Sequence, residues 1–419
     1  MSLHIGRERI PGPLSAAMSP AVRRQAEQDQ ERVTKLVQRL VQVPSRGGSD
    51  PYEPVIDLIA AWLTEHGLTP RRLLDSGGRA VGVVCDVQGG HPGPRYVLDA
   101  CVDTAPFGDE SAWRHPPTSG VIEDGWLYGR GAADSKAGVA VFAHVAARVK
   151  AQAGDLHGTL TVLYDADEHT GRFGGAKRYF TGPDAPADIA GVMIGYPGVD
   201  KIVIGGRGFL RATLTMHGQA AHSGSQAPAQ GNAVEKAAAL IRTLGRHRAP
   251  APADPELGLP PKLTVTAVRG GEGYSVVPDR CEVLVDIRLT QAFDAAAATV
   301  VLERVVRAVD RRWPTERPTQ IAYAESWPAF KLEDTAPVRV ALLRAAARQL
   351  PQPPQTKVAG PSNIGCYLSS LGIDATAGFG VAYRGLHSTN ECIDLSTIPG
   401  VQASYHETVL SLLGVDQPR

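Results

Sequence analysis

Apolar residues outline the chain before any chemistry does. Val33, Leu36, Val37, Leu40 and Val41 recur at the spacing of one helix face, behind Ser19 and Pro20, which read as cap and first turn. A second helix is predicted over 54–66. Residues 80–87 and 96–100 read as strands, 138–149 as a buried helix and 159–165 as a buried strand. Strands alternating with helices predict an α/β layer on a mainly parallel sheet. The pattern changes after Gly205 and Gly206. Residues 209–216 alternate as a half-buried strand, 232–244 are helical, and 263–268 and 281–289 are strands joined by the turn GGEG. A helix over 293–311 and a strand over 319–324 complete the order β-α-β-β-α-β of a ferredoxin-like unit. The expected organisation is a catalytic domain of 1–206 and 325–419, with an inserted α+β lid and dimerisation domain of 207–324. A helix over 336–350 resumes the α/β part. The Pro-rich stretch 249–261 is expected to be a loop.

Length supports this division, because 419 residues exceed what one compact core holds. Lys and Arg balance Asp and Glu at 43 each, so bulk charge offers no attraction to nucleic acid or to an anionic membrane. No run of about 18 apolar residues predicts a membrane span. Residues 1–18 lack the apolar stretch of a signal peptide and read as a loose arm. Five scattered cysteines form no pairing pattern, which points to a reducing, cytoplasmic setting.

Three segments place acids and histidines where strands end: YVLDACVDTAP with Cys101 and Asp103, YGRGAADSKAG with Asp134, and LYDADEHTGRFGG with Asp167, Glu168 and His169. Open α/β sheets bind ligands at the carboxyl ends of their strands, so these residues are candidate metal ligands and bases. Any one alone has a bland reading: an Asp in a Gly-rich turn forms the turn, and a loop His is solvated. Their joint occurrence is what carries the reading.

The segments resemble the di-metal hydrolase family that includes aminoacylases, glutamate carboxypeptidases and succinyl-diaminopimelate desuccinylases. The resemblance runs from about Arg32 to the C-terminus. It rests on ACVD (100–103), GRGAADSKAG (129–138), DEHTG (167–171), GYPG (195–198), GQAAHS (218–223) and HSTNE (387–391), of which the second and last are the most specific. It implies a zinc-hydrolase-type catalytic domain with the inserted lid. By resemblance Asp134 is a metal-bridging carboxylate, His387 a ligand, Glu168 the general base and Asp103 the acid that orients a ligand. His222 resembles the lid histidine that reaches a partner subunit's active site, which implies a homodimer or higher homo-oligomer. Asn232 and Arg288 also match family positions, with a helix cap and a surface ion pair as their structural alternatives. With Asn363 and Arg384 they are the candidate substrate contacts.

The chain departs from the family pattern at defined places. Cys101 stands where the family has a metal-binding His, His169 where it has a Glu, and Tyr196 where it has a Glu or Asp. Ser362 and Asn363 replace a Thr-Asp pair, and Ser275 an Asn. Cys101 and Tyr196 would both belong to one metal position, whereas Asp134, His169 and His387 would form the other. The expectation is therefore one divalent transition metal per subunit, Mn or Zn, with Cys101 a small buried residue and Tyr196 leaning on that metal or on its water. Exchange of an anionic Glu for His leaves the metal more positive and lowers the pKa of its water. The expected reaction is hydrolysis of a C–N bond in a small molecule. The altered ligand set resembles that of family relatives that deaminate 5-nitroanthranilate to 5-nitrosalicylate and ammonia, and this resemblance implies that reaction here, where a para nitro group takes up charge. The alternatives are amide hydrolysis of N-acyl amino acids or dipeptides and, in another class, a metal-free small-molecule-binding pseudoenzyme.

Overall fold

The first predicted stripe is buried: Val33, Leu36, Val37, Leu40 and Val41 lie at 0–1% exposure on the helix Met18–Val41. Ser19 is not its cap, because its hydroxyl donates to Glu407 at 2.9 Å. The computed structural model describes residues 18–225, 231–246 and 253–414. The arm expected before residue 18 and the first part of the Pro-rich stretch, 249–252, lie outside the described residues. Among the described residues no helix is long and apolar enough to cross a membrane, and all five cysteines are buried free thiols.

The described chain forms two compact units. The first holds the residues up to Ile204, Leu332–Lys357, and those from Ile373 onward; the second holds Gly205–Lys331 and Val358–Gly372. The second unit thus takes in 358–372, beyond the insertion boundary expected from the sequence.

The first unit is built on a six-stranded sheet in the order Arg71–Leu74, Ala80–Gln88, His157–Asp165, His91–Asp99, Ile189–Ile194, Ala375–Thr376. The last four strands run parallel, while Arg71–Leu74 and Ala80–Gln88 join antiparallel, so the sheet is mixed. The central strands read as apolar runs because both faces are covered: Val97, Leu98, Leu160, Val162, Val192 and Met193 are fully buried. The helices Met18–Val41, Ala137–Lys150, Pro337–Gln349 and Ile398–Leu412 pack on one another in this unit. Gly138 and Gly195 let the helix Ala137–Lys150 approach the sheet closely, since a Cβ on Gly138 would meet the Gly195 carbonyl oxygen at 2.7 Å.

The second unit carries a four-stranded antiparallel sheet in the order Lys262–Gly270, Arg280–Leu289, Gly208–His217, Gln320–Trp327. The helices Ala233–Arg246 and Ala295–Arg312 complete its core with Leu240, Leu302, Val305 and Val309. The order β-α-β-β-α-β is that of a ferredoxin-like unit.

Candidate functional site

Three neighbouring parallel strands end at one edge of the first unit's sheet and deliver the site. His91–Asp99 leads to Cys101 and Asp103, His157–Asp165 to Glu168 and His169, and Ile189–Ile194 to Tyr196. Asp134 comes from the turn before the helix Ala137–Lys150, next to the cis peptide Asp134–Ser135. That turn needs Gly131, which sits at φ 81° and would drive a Cβ to within 2.4 Å of Thr104. His387 follows the short strand Tyr383–Arg384 and holds a left-handed φ of 58°. Asp167 does the same at 73°. Such conformations persist in side-chain-bearing residues where the surroundings over-determine the backbone.

Ligand atoms of Asp134, His169 and His387 lie within 4.8 Å of one another. His387 Nε2 is 2.8 Å and His169 Nε2 3.4 Å from the same Asp134 oxygen, Oδ2. Asp103, fully buried, accepts the backbone N–H of Glu168 at 3.2 Å and of His169 at 3.0 Å, which fixes the turn bearing both side chains. Both ring nitrogens of His169 are buried without a well-formed hydrogen bond. Their carboxylate neighbours stand off: Glu168 at 3.3 Å and Asp103 at 3.5 Å from Nδ1.

The electrostatics follow from this crowding. Burial works against a charged His169 ring, but Asp103, Asp134 and Glu168 outweigh it and push the pKa up to about 11. Burial would raise Asp134, yet His169 and His387 hold it well below the usual carboxylate range. For Glu168, burial together with Asp134 and Asp103 overcomes the two histidines and pushes it up to about 7, where a general base works best at neutral pH. Beneath the site, burial raises Asp99 to about 8 and Asp165 well above the carboxylate range.

Residues 98–411 match Peptidase family M20/M25/M40. The chain belongs to this family. It is 27% identical over 334 residues to a succinyl-diaminopimelate desuccinylase of Halorhodospira halophila, covering 78% of this chain and 85% of that protein. In fold it is similar to an M20 family metallo-carboxypeptidase from Sulfolobus solfataricus (TM-score 0.72, 18% identity, 90% and 98% of the two chains). It is also similar to a dinuclear metal-binding M20 peptidase from Bacillus subtilis (TM-score 0.71, 15% identity, 93% and 100%). The protein is therefore a hydrolytic enzyme of the metallohydrolase type.

An M20 enzyme's divalent ion fits the set Asp134, His169 and His387: a buried carboxylate, two imidazoles, and ring nitrogens with no other satisfactory partner. A second ion fits poorly. Cys101 lies 4.0 Å from Asp134 Oδ1, and burial, then Asp134 and Glu168, push its thiol well up. Burial and the same two carboxylates push the Tyr196 phenol far above its ordinary range. Cys101, Glu168 and His169 do form a second cluster of donors, but it shares His169 with the first.

The other expected site residues are placed as follows. Arg384 lies with its guanidinium 4.0 Å over the Trp126 ring, in the first unit. His222, Asn232, Arg288 and Asn363 belong to the second. His222 is exposed and its Nδ1 accepts the Gly224 N–H. Asn232 accepts the N–H groups of Val234 and Glu235 at the start of Ala233–Arg246, and Asn363 that of Gly365 at the start of Ile364–Ser370. Both asparagines therefore act as helix caps. Arg288 pairs with Asp286 at 2.8 Å and donates to Ser362 at 3.1 Å.

Sequence reasoning passed over three residues inside its own motifs. Arg130 and Glu391 form a buried ion pair at 2.7 Å. Lys136 is fully buried, donates to the Val43 carbonyl at 2.8 Å, and is pushed by burial down to about 7. For Arg130 and Lys136 the signal available was a charged residue inside the Gly- and Ala-rich motif GRGAADSKAG, whereas HSTNE, polar throughout, gave none for Glu391.

Proposed function

We propose that this M20 enzyme hydrolyses a C–N bond in a small carboxylate-bearing molecule, using one divalent metal held by Asp134, His169 and His387. The observation that carries the reading is the convergence of those three donors beside Glu168. A transition metal such as Mn or Zn supplies Lewis-acid activation of water and of the scissile group when bound. Glu168 accepts the proton of the attacking water and passes it to the leaving nitrogen. Asp103 holds the Glu168 and His169 amides so that base and ligand keep their mutual position. Tyr196, a neutral phenol, is a hydrogen-bond donor toward the reacting centre.

The substrate class best supported by the relatives is an amide, an N-acyl amino acid or dipeptide. A desuccinylase and a carboxypeptidase are among the proteins this chain resembles. A second reading has its own support: Cys101 and Tyr196 stand where the family resemblance puts donors of the other metal, and neither is the His or carboxylate of the family pattern. A site with one metal suits a substrate that takes up the developing charge itself, as 5-nitroanthranilate does through its para nitro group. Water then adds to the ring carbon and ammonia leaves, giving 5-nitrosalicylate. Incubation of metal-loaded protein with N-acyl amino acids, dipeptides and nitro-substituted anthranilates, with carboxylate and ammonia release assayed separately, decides between them. Turnover of neither class, with metal bound, sinks C–N hydrolysis and favours a binding protein.

The ferredoxin-like unit is read as a lid and dimerisation domain, with His222 serving the partner subunit's site, in a cytoplasmic enzyme. Sedimentation is expected to give a homodimer or larger homo-oligomer. A fully active monomer would remove both the dimer and the His222 role.

A further inference from the structure

The two halves of the ligand set reach the site by different routes. Asp134 sits in a turn before a helix and His387 in the turn between the paired strands Tyr383–Arg384 and Cys392–Asp394; the strand Trp126–Tyr128 ahead of Asp134 pairs with Cys392–Asp394. Beyond that ladder, a buried carboxylate ties the two turns to each other. Glu391, four residues beyond His387 and at 0% exposure, accepts the backbone N–H of Ala133 at 2.9 Å and of Asp134 at 3.3 Å through Oε1. Its Oε2 accepts from Arg130 at 2.7 Å. Its own carbonyl accepts the Gly129 N–H at 2.9 Å. Arg130 is itself held: its N–H donates to the Pro117 carbonyl and its guanidinium lies 5.1 Å over the Trp113 ring. The adjoining Asn390, at φ 61°, accepts the Arg114 N–H at 2.6 Å. These bonds of Glu391 and Asn390 all cross between the segment 113–134, which holds the hairpin strands Ile122–Glu123 and Trp126–Tyr128, and the turn 387–391.

A buried ion pair is weak evidence for stability, since apolar residues of similar volume often replace it without loss. This pair has a geometry that stability alone does not require, because one oxygen is spent on the amides of the ligand-bearing loop. We propose that Glu391 is a positioning residue that clamps the Ala133–Asp134 backbone to the His387 turn, so that the Asp134 carboxylate and the His387 ring meet at one point. The proposal rests on the reading of Asp134, His169 and His387 as the metal set. It assigns Arg130 the task of keeping Glu391 charged and aimed.

Two double variants separate the clamp from the ion pair. Glu391→Gln with Arg130→Gln removes both charges but leaves a side-chain oxygen for the two amides. Glu391→Leu with Arg130→Met removes the charges and the acceptor together. Apoprotein fold and melting temperature are recorded first. Affinity for Mn²⁺ and Zn²⁺ is then titrated calorimetrically, and hydrogen exchange is read at the Ala133 and Asp134 amides. The clamp requires the Leu/Met variant to lose metal affinity by about 10–100-fold, the range found for outer partners of metal ligands, and to exchange both amides faster. The Gln/Gln variant is expected to stay near wild type in both. If either double variant fails to fold, Glu391→Asp, which keeps the charge but withdraws it by one methylene, is expected to weaken metal binding and amide protection together. Equal affinity and equal exchange in the two double variants overturn the proposal, and so does an equal loss in both. A wild-type protein that binds neither ion sinks the metal reading instead, while the amide exchange still decides the clamp.

Discussion

At the scale of single residues, Glu168 and His169 are chain neighbours with opposite assignments, and substitution separates them. Glu168→Gln keeps the shape and removes the basicity, so turnover is expected to fall by about 10²–10⁴-fold, the usual contribution of a general base, while metal affinity holds. His169→Ala is expected to lose metal affinity instead, measurable by titration of the apoprotein. A Glu168→Gln variant near the wild-type rate would return Glu168 to a structural role. Acids and histidines at strand ends singled out Asp134, Glu168 and His169, and the family resemblance His387; the structure brings these four side chains close together. The motif letters left Glu391 and Arg130 without a role. Their meaning lies in burial and in partners some 260 positions away, and no local periodicity encodes either. Asn232 and Asn363 show the opposite case: each stands just before a helix, and the cap that such a position favours is what their side chains form.

At the scale of elements, apolar runs located the central strands but not their directions. The strand His91–Asp99 begins five residues before the expected one because residues 91–94 are exposed and carry no alternation. Ala80–Gln88 joins the sheet antiparallel, which an apolar run cannot announce. The helix layer also hides titratable groups that pattern reading counts as polar. His144 on Ala137–Lys150 and His406 on Ile398–Leu412 are both buried, beside the Asp29–Arg148 pair that ties in Met18–Val41. Burial pushes each imidazole down to about 4 from 6.5. At these two rings the unfolded chain binds protons that the folded chain refuses, so their contribution to stability falls as pH drops from about 6.5 toward 4 and is unaffected above that window, while the raised carboxyls of Asp99, Asp165 and Glu168 act in the opposite sense. A tenfold weakening of proton binding corresponds to about 1.4 kcal/mol, so each ring contributes up to about 3 kcal/mol of acid destabilisation. Urea unfolding of the wild type and of His406→Gln at pH 7.5, 5.5 and 4.5 checks this, because the wild type should lose stability relative to the variant as pH falls. A difference between the two proteins that stays level from pH 7.5 to 4.5 excludes the account.

At the scale of the whole molecule, the sequence pattern switches after Gly206 and the second compact unit starts at Gly205, whereas nothing in the pattern marks 358–372. That segment returns in space to the second unit after the chain has resumed the first. The proposed ligands Asp134, His169 and His387 all belong to the first unit, though the second interrupts the chain between His169 and His387. An ion bound there stabilises the state that holds it by mass action, about 2.7 kcal/mol at a free concentration 100 times Kd. Each unit has its own core of buried aliphatic residues, so calorimetry is expected to resolve two transitions. Addition of Mn²⁺ or Zn²⁺ should raise the transition of the unit with the ligands and leave the other in place. The Asp134→Asn variant should lose the shift. Elemental analysis of the loaded protein should give one ion per chain, since the two ligand sets found among the described residues share His169. Two ions at full occupancy would reinstate Cys101 and Tyr196 as ligands. A metal shift confined to the second unit's transition would move the site away from Asp134 altogether.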